Sequence, residues 1–164
     1  VIMGYSYTKR FTLLSHLWLG LSLSIAPVGA WIAIKGRFDW TPMLLALAVM
    51  LWTSGFDIIY ACQDFDFDRR LRLHSIPARF GIRRALWISS ALHVVMVAIL
   101  IGVTLLTRLG HLYLIGVGVV ALILFYEHAI VKPNDLSRVN LAFFTLNGMV
   151  SLVLMALSVA DMLF

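Results

Sequence analysis

The sequence predicts an all-α protein, a polytopic transmembrane helix bundle of five spans. Composition is the first ground: of 164 residues, 62% are hydrophobic and 13% charged, against roughly 45–50% and 25% in soluble globular domains. Mean hydropathy is the second, at +0.96. The third is distribution. The apolar residues gather in five runs, near 13–34, 42–62, 85–106, 112–131 and 141–164. Each is close to the ~20 residues that carry a helix across ~30 Å of hydrocarbon. None alternates apolar with polar residues as a barrel strand does, so helices are expected to satisfy the backbone within the bilayer. This composition excludes a soluble domain and a disordered chain, and the single cysteine, Cys62, excludes a disulfide scaffold. No repeat or linker divides the sequence, which reads as a single transmembrane domain over residues 1–164.

The first span contains Pro27, which is expected to kink it. The second opens at Thr41-Pro42, an N-cap followed by proline at the first helical position. Trp40 and Trp87 mark span ends, where aromatic belts form. The third span carries His93, expected to be a buried, hydrogen-bonded histidine. The fourth ends at Glu127-His128, read as an interfacial pair, and is stopped by Lys132-Pro133-Asn134-Asp135. In the fifth, Asn140 and Asn147 stand seven residues apart, on one helical face toward the bundle interior, for interhelical hydrogen bonding or substrate contact. His16, Trp18 and Trp31 read as packing or cavity lining, and Cys62 as packing.

The net charge of +5 is explained by topology. With five spans the loops alternate sides. Lys9, Arg10, Arg69, Arg70, Arg72, Arg79, Arg83, Arg84, Lys132 and Arg138 fall on one side; Lys35, Arg37 and Arg108 fall on the other. A ten-to-three split of the thirteen basic residues follows the positive-inside rule. It is expected to put the N-terminus and the 64–84 loop in the cytoplasm, and the membrane crossed is expected to be a bacterial inner membrane. The charge calls for no nucleic acid.

Four of the eight acidic residues lie in the twelve positions from Asp57 to Asp68. At 100° per residue, with Asp57 as origin, Tyr60 falls at about 300°, Asp64 at about 340° and Asp68 at about 20°. All four share one face, and Asp66 lies opposite. A carboxylate in a membrane helix costs about 2.5–3.5 kcal/mol near the centre, so a ladder of three needs a reason. Pairing with Arg69, Arg70 and Arg72 leaves the shared face unexplained. A hard divalent cation explains it: Mg²⁺ takes oxygen ligands and is typically shared between a few carboxylates and substrate phosphates. Asp64 and Asp68, one turn apart, would hold it, with Asp57 deeper. The basic loop that follows, from Arg69 to Gly81, suits a positive-inside loop and also a grip on diphosphate oxygens.

The pattern Asp57-x-x-Tyr60-Ala61-x-x-Asp64-x-x-x-Asp68, with Ser75 and Gly81 beyond it, resembles the second aspartate motif of the UbiA superfamily of intramembrane prenyltransferases. Tyr5 and Lys9 are similar to that family's Tyr-x-x-x-Lys element, and Asn140 to Gly148 to the start of its last helix. The wording is closest to the 4-hydroxybenzoate polyprenyltransferase-like branch, and around Ile58–Asp64 and His74–Gly81 to a menaquinone-associated subgroup. The resemblance implies a bundle of nine helices around a central cavity, in which two aspartate motifs hold Mg²⁺ and a polyprenyl diphosphate. An Asn-x-x-x-Asp-x-x-x-Asp first motif is not among these 164 residues. The chain therefore resembles the last five helices, and by itself is expected to be inactive.

The reaction so implied is transfer of the polyprenyl group to an aromatic acid on the way to ubiquinone or menaquinone. Asp57 and Tyr60 are the candidate catalytic residues. Asp64 and Asp68 are the candidate metal ligands, through the diphosphate. Tyr5, Lys9, Arg10, Arg69, Arg72 and Asn147 are the candidate substrate and diphosphate contacts. Two other classes compete. A transporter or cation channel subunit could use the ladder as an ion path, which would call for polar positions through the full bilayer depth. A non-catalytic membrane scaffold would tolerate neutralisation of the ladder.

Overall fold

The computed structural model describes residues 5–164, and side chains from Tyr7 onward; the Tyr5 side chain lies outside the described residues. A short helical turn, α1 (Tyr5–Thr8), leads into α2 (Ser15–Lys35). α3 (Trp40–Ala61) continues through a 3₁₀ turn, Cys62–Asp64, into α4 (Phe65–Arg70). Then come α5 (Ile76–Phe80), α6 (Ile82–Val103) and α7 (His111–Ile130), followed by a π-helical stretch, Leu141–Leu146, that runs on into α8 (Asn147–Leu163). Five helices are long and apolar enough to cross a membrane: Ser15–Lys35, Trp40–Arg70, Ile82–Val103, His111–Ile130 and Leu141–Leu163. Each overlaps one of the five predicted runs, the second continuing eight residues past 62 into the stretch expected as loop, and the chain is a multi-pass membrane protein.

The boundaries refine the expectation. α3 starts at Trp40, one residue before Thr41; its N-cap is Asp39, whose carboxylate accepts from the Trp40 N–H at 2.7 Å, and Pro42 sits inside the first turn. α2 runs unbroken through Pro27 and closes on Gly36, which takes the left-handed conformation at φ 67° and donates its N–H to the Ile32 carbonyl. The loop after α7 folds back through paired backbone bonds between Lys132 and Asp135. There the Ser137 hydroxyl and amide hold the Asp135 carboxyl below the usual carboxylate range.

The helices approach closely where small residues permit it. Gly20 of α2 faces the Met50 carbonyl and Ser54 hydroxyl of α3 so tightly that a Cβ would overlap both, and Gly55 of α3 likewise receives the His93 imidazole of α6. Two apolar clusters fill the bundle. One, toward the α6–α7 connection, includes Met96, Leu100, Tyr113, Val117 and Val150. The other, toward the 64–84 loop that carries the end of the aspartate motif (the motif loop), includes Ile58, Ile59, Ala85, Val139 and Ala142. Large apolar side chains such as Val94, Leu122, Phe125 and Leu152 stand outward, as a lipid-facing surface requires, with Trp40 and Trp87 exposed at span ends. Asp161, near the end of α8, accepts from the N–H groups of Gly110, Leu112 and Tyr113 at 2.5, 2.9 and 3.3 Å and so caps α7 from another helix.

Candidate active site

Asp64 and Asp68 converge on one cation. The Lys9 ammonium lies 3.7 Å from Asp64 Oδ2 and 3.5 Å from Asp68 Oδ2. Asp68 is enclosed, its side chain 1% exposed, whereas Asp64 is open at 48%. Their partner is thus Lys9 of the N-terminal segment and not the following arginines. Local backbone bonds produce this meeting. α4 ends in a Schellman motif: the Arg72 N–H bonds to the Arg69 carbonyl at 3.2 Å and the Leu73 N–H to the Asp68 carbonyl at 2.8 Å. The reversed chain then donates the His74 N–H to the Lys9 carbonyl at 2.6 Å, binding the motif loop to the N-terminal segment. The left-handed residue of the motif is Arg72, at φ 54°, where glycine or asparagine is usual.

The turn gathers the basic residues. Leu13, Arg69, Arg72, Leu73, His74, Ala78 and Arg79 line a cleft of about 240 Å³ beside α4. Arg69 and Arg72 were singled out from the sequence as diphosphate contacts; His74 and Arg79, from the same basic loop, join them in the cleft. Arg10 instead lies over the Tyr7 ring, 5.7 Å from its centroid.

Asp57 has a different companion. Its Oδ2 stands 2.6 Å from Nδ1 of His16, a residue wholly enclosed between α2 and α3 and read from the sequence as packing. The three aspartates thus share a side in that all are met by the N-terminal segment or α2, but the 3₁₀ turn breaks the helical rotation between Asp57 and Asp64. Asp57 is a separate station, not the third member of one metal cluster. Among the described residues, no group of three or more His, Cys, Asp or Glu side chains could hold a metal ion.

Tyr60 turns toward the π-helical stretch. Its ring lies 4.4 Å from that of Phe143, which also meets Phe56 at 5.4 Å and Phe144 at 4.9 Å. Trp52 extends the row through Phe56 at 5.5 Å. Sequence reading missed this aromatic row. The i, i+4 spacing of Trp52, Phe56 and Tyr60 was its one visible signal, while Phe143 is brought in by tertiary packing.

Asn147 makes the interhelical hydrogen bond that was one of its two expected roles. It is buried, accepts from Trp52 Nε1 at 2.8 Å and donates to the Ala142 and Phe143 carbonyls at 3.1 and 3.2 Å, so its amide is engaged internally. The π-helical stretch also shifts the face: Asn140 is exposed and weakly bonded to Gln63 at 3.4 Å, so the two asparagines do not share a buried face. His93 is buried and hydrogen-bonded as expected, with Nε2 3.2 Å from the Trp52 carbonyl and Nδ1 3.0 Å from His128 Nε2. Glu127, in the last turn of α7, is fully buried.

Comparison with known proteins bears on this arrangement. The UbiA prenyltransferase family matches residues 1–149. The chain belongs to this family. A 4-hydroxybenzoate octaprenyltransferase from Xanthomonas oryzae pv. oryzae is 34% identical over 132 residues, 80% of this chain and 44% of the relative. A protein of the same name from Vibrio campbellii is 28% identical over 156 residues, 95% of this chain and 55% of the relative. An apo structure of a UbiA homolog from Aeropyrum pernix K1 superposes with a TM-score of 0.84 at 33% identity, covering 98% of this chain and 60% of that one. The chain spans about half the length of the curated relatives it matches. Its helix order and packing are those of a UbiA helical bundle over the matched part.

Proposed function

We propose that the protein containing this chain transfers a polyprenyl group from polyprenyl diphosphate to an aromatic acid such as 4-hydroxybenzoate, in the formation of a quinone of the ubiquinone or menaquinone type. The observation that carries the reading is the convergence of Asp64 and Asp68 on one cation, Lys9, beside the cleft of Arg69, Arg72, His74 and Arg79. Acid and base at one membrane-end site suit a ligand that is itself a metal–diphosphate pair. The names of the relatives from Xanthomonas oryzae and Vibrio campbellii support the aromatic acceptor.

The donor set fits Mg²⁺. It consists of carboxylates only, two of them, and Mg²⁺ uses one or two carboxylates plus substrate phosphates. Asp64 and Asp68 would hold it. When bound, Mg²⁺ supplies Lewis-acid screening of the diphosphate charge. Lys9, Arg69 and Arg72 bind diphosphate oxygens by charge-assisted hydrogen bonds. The apolar helices exclude water from the reacting carbon. As the allylic C–O bond breaks and diphosphate leaves, Tyr60, Phe56 and Phe143 offer ring faces to the developing positive charge; the Asp57 carboxylate orients the acceptor ring, which forms the new C–C bond and gives up a ring proton. The isoprenoid tail runs along the lipid-facing helices. The ten-to-three distribution of basic residues supports a cytoplasmic site in a bacterial inner membrane.

The test is prenyl transfer by the full-length protein with Mg²⁺. Asp64→Ala and Asp68→Ala are each expected to lower kcat/KM by about 100-fold or more, as losing charge stabilisation does. Full activity in both variants would refute the metal role.

A further inference from the structure

Three segments that build the site meet at one imidazole. His16 opens α2, six residues after Arg10; its Nδ1 lies 2.6 Å from Asp57 Oδ2 on α3, and its Nε2 lies 3.4 Å from the Ile76 N–H at the start of α5. The two contacts fix the tautomer. The Ile76 amide can only donate, so Nε2 is the acceptor and Nδ1 carries the proton given to Asp57. The second bond is at the long end of the range; the first is short and buried. The backbone that carries the ring is held as well. The Ser54 hydroxyl bonds to the His16 carbonyl at 3.1 Å, and one turn on, Gly20 lets α2 lie directly against α3.

His16 is 0% exposed and so does not touch a substrate, while Asp57 keeps 7% of its surface open. The imidazole can therefore act only through the carboxylate and the loop it joins. We propose that His16 is a positioning residue for the prenyl transfer proposed above: it sets the Asp57 carboxylate in one orientation and locks that orientation to the α5 end of the motif loop. Asp57 then presents its remaining oxygen at a fixed distance from the Asp64–Asp68 station. The inference rests on the proposed function for its reaction, and on the geometry alone for its hydrogen bonds.

The experiment compares His16→Asn and His16→Gln in the full-length protein. Asparagine puts an amide donor near the place of Nδ1; glutamine puts its amide near the place of Nε2. If His16 works through Asp57, His16→Asn retains kcat within about threefold, and His16→Gln loses about tenfold or more, the size of a lost hydrogen bond to a charged group. KM for the diphosphate stays unchanged in both. A purely packing role predicts that the two variants fall together in proportion to their melting temperatures, and that result overturns the proposal. Nitrogen-15 spectra of the unsubstituted protein in micelles give an independent reading: Nδ1 of His16 protonated and Nε2 bare supports it, and the opposite tautomer overturns it whether or not the variants fold. Absence of prenyl transfer by the unsubstituted protein would instead overturn the proposed function, with the spectra still deciding the hydrogen bonds.

Discussion

At the scale of single residues, Arg72 shows how a local cost serves a site. A non-glycine residue at left-handed φ gives up about 1–2 kcal/mol relative to the right-handed region, and Arg72 does so at φ 54° while its side chain lines the basic cleft. Arg72→Gly is therefore expected to raise stability by about 1 kcal/mol, as the Schellman turn relaxes. The same change should weaken binding of inorganic diphosphate, through loss of a guanidinium. Thermal melting and diphosphate titration on one preparation check the two signs together. The carboxylates and arginines of this station were legible in the sequence because polar residues in a membrane segment stand out against an apolar background. His16 was not, since a single histidine early in an apolar run carries no sign of its partner forty-one residues away.

At the scale of elements, the five spans were legible because hydrocarbon thickness imposes their length; four agree to within about three residues, and the second runs on to Arg70. What the apolar runs concealed was irregular helix. The 3₁₀ turn at Cys62–Asp64 and the π-helical stretch at Leu141–Leu146 both change the rotation that a 100° wheel assumes. The first separates Asp57 from Asp64 and Asp68; the second turns Asn147 inward and leaves Asn140 outside. Asn147 secures that stretch, tying Trp52 of α3 to two of its carbonyls. Asn147→Ala leaves a buried indole N–H without its acceptor and is expected to cost about 1–3 kcal/mol. It should also disturb the Phe143 ring against Tyr60. A fall in melting temperature, with altered tyrosine fluorescence, would report both; an unchanged melting temperature would argue against the bracing role.

At the scale of the whole molecule, orientation rests on charge rather than on packing. Ten basic residues against three on the two sides are expected, by the positive-inside rule, to direct the 64–84 loop to the cytoplasm. Single cysteines placed at Arg79 and at Arg108, on a background in which Cys62 is replaced, should label oppositely with a membrane-impermeant thiol reagent applied to intact cells. The Arg108 position is expected to react and the Arg79 position to stay protected; the reverse pattern would invert the topology.

The cap that Asp161 places on α7 has a mechanical consequence. Three amides at the start of α7 are held by a carboxylate near the far end of α8, fifty-one positions beyond Gly110. The two helices form an antiparallel hairpin clasped at its open end as well as at its loop. Load applied to the end of α8 reaches the start of α7 through those three bonds before it reaches the loop. The last two spans are therefore expected to resist extraction from the bilayer as a single body, and Asp161→Ala to let them leave separately in single-molecule pulling.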